Sequence, residues 1–148
     1  YSFFNKPAVI VLPVPESETI LIDRGTFVAA MAKFGITAFG VFDSNVRLAS
    51  KKELDRIAPY LVYPADWYAK DLWDCEDYGL QAQLDAGRKF EVTVRLGLGQ
   101  TELGYHGFAI TLDKDLNLWL LEPNAGFPYA GQWFSKGEYS YIPDRVLI

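Results

Sequence analysis

The sequence predicts an α+β fold, and three observations carry that reading. Helix signals dominate the first 86 residues. Runs with strand character follow in close succession. The third observation is size: 148 residues, half of them apolar and 16% aromatic, are enough for one domain with a real core. Helical segments followed by consecutive strands argue an α+β arrangement with a mostly antiparallel sheet. The expectation is one domain spanning residues 1–148.

Taken in order, Ala8 to Leu12 reads as a first strand, and Pro13, Pro15 and Glu16-Ser17-Glu18 mark the loop after it. Thr26 to Lys33 reads as a short helix stopped by Gly35. Thr37 to Phe42 has strand composition. Ser50 is a good N-cap with Glu53 three residues on, so Ser50 to Ala58 predicts a capped helix. Pro59 and Pro64 bracket an irregular aromatic stretch. A second strong helix is predicted from Asp74 to Ala86, ended by Gly87. Strands are expected over Glu91 to Leu98, Tyr105 to Leu112 and Leu116 to Glu122. The tail, Gly126 to Ile148, is rich in Gly, Pro, Tyr and Phe and is expected to cover the sheet.

Composition excludes several function classes. The net charge is −5, and Lys51-Lys52 and Arg88-Lys89 are isolated pairs, so no nucleic-acid partner is expected. No apolar run reaches the roughly 18 residues of a membrane span. A single cysteine rules out an internal disulfide framework and a cysteine-rich zinc site. The chain opens on Tyr1 rather than Met, as a processed or excised piece would. Gly97-Leu98-Gly99 lacks the Lys-Ser/Thr and the following helix of a phosphate loop.

The chemical signal lies in three residues. Cys75 falls in the first turn of the Asp74 helix, where unpaired N–H groups and the helix dipole favour a thiolate. Cys75, Gly79, Ala82 and Ala86 share one face, and their small size lets the helix lie close on a sheet. His106 is the single histidine and opens a strand whose face carries Phe108, Ile110 and Leu112. The next strand presents Leu116, Leu118, Leu120 and Glu122. A hairpin centred on Lys114 sets Leu112 opposite Leu116, Phe108 opposite Leu120, and His106 opposite Glu122. Opposed side chains have Cβ atoms about 5 Å apart, so Glu122 can hold one imidazole nitrogen and aim the other at a thiol. A lone cysteine is more often a small buried hydrophobe, and a His–Glu pair often satisfies only itself. Together they point to a Cys75–His106–Glu122 triad.

Trp73-Asp74-Cys75-Glu76-Asp77-Tyr78 at a helix start resembles the nucleophile motif of bacterial transglutaminase-like cysteine peptidases. The order Cys, His, acid fits the wider papain-like and transglutaminase-like superfamily, and the likeness covers about Trp73 to Asn124. The bacterial family usually ends its third motif with Asp-Asn, whereas Glu122-Pro123-Asn124 stands here. A glutamate in that role is more similar to the peptidase domain of calcium-dependent fungal chimerolectins. The resemblance implies a papain-like/transglutaminase-like core, with the helix bearing the cysteine packed on an antiparallel sheet. It implies a cysteine hydrolase (thiol peptidase or amidase) acting on a peptide or protein, with acyl transfer to an amine left open. The alternative is a non-catalytic glycan- or protein-binding module on the same fold.

Asp74, Glu76 and Asp77 crowd the cysteine, and negative charge nearby disfavours a thiolate. One reading is an N-cap and an acidic first turn that complement the helix dipole. The other is a metal site of Asp74, Glu76 and Asp77 for Ca²⁺, which takes six to eight oxygens. Both resembling families include calcium-dependent members, so Ca²⁺ is the one cofactor expected. Trp67 and Trp73, just before the cysteine, are candidate substrate-binding residues. Asp113/Asp115 and Glu16/Glu18 read as solvated turns.

Overall fold

The computed structural model describes residues 11–41 and 43–148. The predicted strand at Ala8 to Leu12 lies largely outside them, and Val11 and Leu12 have no regular structure. β1 (Thr19–Asp23) leads into α1 (Arg24–Ala32), whose N-cap Asp23 accepts a hydrogen bond from the Thr26 N–H at 2.7 Å. β2 (Thr37–Phe39) and β3 (Asn45–Ala49) follow. α2 (Lys51–Ile57) starts at Ser50, whose Oγ accepts from the Glu53 N–H, as predicted.

The long helix is α3 (Cys75–Phe90). It does not stop at Gly87. Arg88 and Lys89 continue it at the negative end of the dipole, and Phe90 is fully buried in the core. The helix ends where Glu91 takes a left-handed conformation, φ 59°. A buried phenylalanine is worth about 1.5–3 kcal/mol, more than the propensity cost of one helical glycine, so packing overrides the stop signal.

β4 (Arg95–Thr101), β5 (Gly104–Leu112), β6 (Leu118–Leu121) and β7 (Ile142–Leu147) complete the elements. They form a five-stranded sheet in the order β2-β7-β4-β5-β6, while β1 and β3 pair antiparallel in a separate ribbon. β2 runs parallel to β7, so the sheet is mixed. Tail residues Phe134 and Tyr141 pack on the sheet, but the end of the tail joins it. β7 enters it between β2 and β4, with Val146 fully buried. No helix of the described residues is long and apolar enough to cross a membrane.

Both faces of the sheet are covered. On β5, Phe108, Ile110 and Leu112 point into a core shared with α1 and β3, while Ala109 points into a second core shared with α2 and α3. α3 lies close on β4 and β5 because its facing residues are small. A Cβ on Gly79 would stand 3.1 Å from the Phe108 carbonyl oxygen.

The β5–β6 hairpin differs from the predicted register by two residues. Leu112 faces Leu118 and Ile110 faces Leu120. The cause is Asp113, which is buried rather than solvated. Its Oδ1 accepts from the N–H groups of Asp115 and Asn117, its Oδ2 accepts from the Trp119 indole, and Leu116 turns left-handed at φ 66°. The connection is therefore longer than a turn centred on Lys114. A two-residue shift keeps each side chain on its predicted face.

Candidate active site

Three elements converge at the end of the sheet. Cys75 is the first residue of α3, His106 the third of β5, and Glu122 follows β6 directly. The start of α3 is fixed by a capping box, in which the Asp74 N–H donates to Asp77 Oδ2 at 3.0 Å. Asp77 is thus committed to the helix end. The Gly107 N–H donates to Cys75 Sγ at 3.3 Å. Gly107 also permits the approach, since a Cβ there would stand 3.1 Å from Glu76 Cα.

His106 Nε2 lies 2.6 Å from Glu122 Oε1. The predicted pair forms even though its predicted register does not. Glu122 is 1% exposed and accepts from two further donors: the Tyr141 hydroxyl at 2.5 Å on Oε1, and the Asn124 N–H at 3.1 Å on Oε2. With Nε2 committed to Glu122, Nδ1 is the nitrogen left for the Cys75 sulfur. Burial disfavours a charged imidazole here, but the neighbouring Cys75 and Glu122 outweigh it and push the His106 pKa up to about 9. Burial first, and then the Glu122 charge, push the Tyr141 hydroxyl well above its ordinary value.

The site opens into a cleft of about 350 Å³ lined by Tyr68, Leu103, Tyr105, Asn124 and Phe127 with Cys75 and His106. The Phe127 ring lies 5.7 Å from the His106 ring, and the Tyr141 ring meets it edge-on at the same distance. A hollow of about 390 Å³ elsewhere, near Pro13 and Tyr60, contains no nucleophile, and its Glu53 and Arg56 pair with each other at 2.8 Å.

The acidic residues divide. Asp74 and Glu76 join Cys75 in one group whose ligand atoms lie within 4.8 Å of one another, and Asp77 is not in it. Contact between the two carboxyls raises the Asp74 pKa and lowers that of Glu76. Glu76 Oε2 is 3.4 Å from the sulfur. These oxygens suit a hard cation in kind. Asp74 and Glu76 alone supply fewer than the six to eight that Ca²⁺ takes.

Neither Trp67 nor Trp73 lines the cleft. Trp67 stacks on Tyr63 at 5.4 Å, and Trp73 sits edge-on between Trp67 and Tyr78. Tyr68 is the residue of that stretch that reaches the cleft wall. Sequence reasoning also missed Tyr141, Gly107, Leu103 and Phe127. Gly107, next to the single histidine on a strand packed under a small-faced helix, carried a usable signal. Tyr141 carried none, because only the return of β7 into the sheet brings it to Glu122.

No family model and no curated protein sequence matches the chain. Solved structures do. The PSL1a–E64 complex superposes with a TM-score of 0.60 at 11% identity, over 86% of this chain and 51% of that one. Polyporus squamosus lectin bound to the human-type influenza-binding epitope Neu5Aca2-6Galb1-4GlcNAc superposes with a TM-score of 0.55 at 10% identity, over 88% of this chain and 50% of that one. The chain therefore spans about half the length of each. At this identity the likeness is one of fold, and the α+β fold of this chain is one it shares with about half of each of these longer proteins.

Proposed function

We propose that this protein is a cysteine hydrolase acting on a peptide or protein. One observation carries the reading: a partly buried imidazole bonded to a buried carboxylate and lining one cleft with the only cysteine. In this reading the Cys75 sulfur attacks a carbonyl carbon. The tetrahedral oxyanion sits at the start of α3, where the Cys75 N–H is a helix-end donor. His106 gives its proton to the leaving amine, and the acyl group stays on sulfur. His106 then takes a proton from water, which attacks the thioester and releases the acid. Glu122 keeps the imidazole oriented and its charge balanced throughout. The transglutaminase-like and chimerolectin resemblance belongs to the same proposal. Calcium would be held by Asp74 and Glu76, where it would offset their charge beside the sulfur.

The test is trapping of an acyl-enzyme from an activated ester or peptide, read by mass spectrometry. A Cys75→Ala protein that still turned over substrate would sink the proposal. E64, a thiol-directed epoxide, serves as a second probe of the same sulfur.

A second reading is a glycan-binding module, and the comparisons favour it where the side-chain geometry favours hydrolysis. One structural neighbour is a lectin, described with a sialylated epitope, though that chain is twice as long as the part matched here. Calorimetric titration with the same trisaccharide separates the two. Saturable binding together with a thiol no faster than free cysteine would make this the better account.

A further inference from the structure

We propose, on the hydrolase reading above, that the protein selects peptides by a large uncharged apolar side chain next to the scissile bond, seated between Leu103 and Phe127. The cleft at Cys75 is not the only hollow on this surface. A second, of about 190 Å³, adjoins it, and its walls include Glu102, Tyr129 and Tyr139. Leu103 and Phe127 line both, so the two hollows meet at these two side chains.

Leu103 is 79% exposed at the tip of the β4–β5 turn. An exposed leucine by itself needs no explanation. This one is held in place: Thr101 Oγ1 accepts from the Leu103 N–H at 3.2 Å and donates to the Gly104 carbonyl at 2.9 Å, and Gly104 takes φ +105°. On the far side, Tyr139 stacks flat on Tyr129 with ring centroids 4.1 Å apart. Tyr139 and its neighbour Ser140 are both left-handed, at φ 53° and 65°. Non-glycine residues persist in that region only where the surroundings hold them. The result is a fixed apolar and aromatic surface where the two hollows meet.

Charge narrows the occupant. Apart from Cys75 and His106, the first compartment is lined by tyrosines, Leu103, Asn124 and Phe127, so no carboxylate is in its wall and its one cation, His106, is engaged by Glu122. Carboxylates flank it at Asp74 and Glu76, and Glu102 borders the second hollow. An acidic side chain meets like charge on each side, whereas an aromatic or large aliphatic one meets only complementary surface.

The experiment uses N-acetylated chloromethyl ketones built on phenylalanine, alanine and glutamate, which place one side chain beside the carbonyl that the thiol approaches. Each second-order rate with Cys75 is divided by the iodoacetamide rate of the same protein. The phenylalanyl reagent is expected to exceed the alanyl one by at least about tenfold, the scale on which apolar pockets discriminate, with the glutamyl reagent slowest. In Leu103→Ser and in Tyr139→Ser the phenylalanyl-to-alanyl ratio is expected to collapse towards one. A ratio near one in the unaltered protein overturns the inference, as does a large ratio that survives both substitutions. Iodoacetamide distinguishes this from failure of the hydrolase reading. A thiol no faster than free cysteine removes that reading, and the subsite with it. A fast thiol without side-chain preference removes the subsite alone.

Discussion

Tyr141 donates its hydroxyl to Glu122 Oε1 at 2.5 Å, the same oxygen that holds His106. The hydroxyl drains charge from the carboxylate and so weakens its grip on a protonated imidazole. Tyr141→Phe is expected to raise the His106 titration midpoint. It should also lower stability by about 1.5–3 kcal/mol, the range for a hydrogen bond to a charged group. The protein has one histidine, so its imidazole proton resonances report this without ambiguity. A midpoint that fell would show instead that the tyrosine holds Glu122 in place.

The charge on His106 gives a second prediction. Its pKa is raised from 6.5 to about 9, so the ring carries its proton through neutral pH and loses it as pH rises through 9. Glu122→Gln removes the anion and leaves the burial, which favours the neutral ring. The midpoint is then expected to drop by well over one unit, with most of the charge gone at pH 8. A native midpoint near 6.5, unchanged by Glu122→Gln, would dissolve the pair as a functional unit.

The acidic start of α3 gives a third. Asp74 and Glu76 place two carboxyls beside the sulfur, and a divalent cation there would offset their charge. Alkylation of Cys75 by iodoacetamide is expected to quicken when calcium is added, to slow with chelator, and to lose this response in Glu76→Gln. A rate indifferent to calcium in the unaltered protein would leave the carboxylates as helix-end charges only.

Much of the site was legible because it rests on short-range rules. Cys75 is fixed by a helix start, and Asp74 and Asp77 mark that start in the sequence as they do in the capping box. His106 and Glu122 met because alternation assigns faces, and a register error of two residues does not change a face. The error itself came from Asp113, whose buried carboxylate organises the connection in a way that turn composition does not reveal. Least legible were the elements made by distant contacts. β7 has a proline within it and no clean alternation, yet it pairs with both β2 and β4. Tyr141 and the Tyr129–Tyr139 stack enter the site only through that pairing.

Two glycines give the last prediction, because the same substitution should act oppositely at each. At Gly107 an added Cβ meets backbone: Glu76 Cα at 3.1 Å, Glu76 N at 3.2 Å and the Cys75 carbonyl carbon at 3.3 Å. Backbone at a capped helix start cannot swing aside as a side-chain tip can, so α3 must lift from β5. Gly107→Ala is expected to cost about 1–3 kcal/mol as overpacking and to slow Cys75 alkylation by about tenfold or more, as the sulfur leaves the imidazole. At Gly87, exposed inside α3, an added Cβ meets nothing within 4 Å. Gly87→Ala is expected to stabilise by about 0.5–1 kcal/mol through the unfolded chain and leave alkylation unchanged. Urea unfolding and iodoacetamide kinetics on the two variants read both effects. Equal alkylation rates would mean that the helix–strand contact at Gly107 does not set the position of the sulfur.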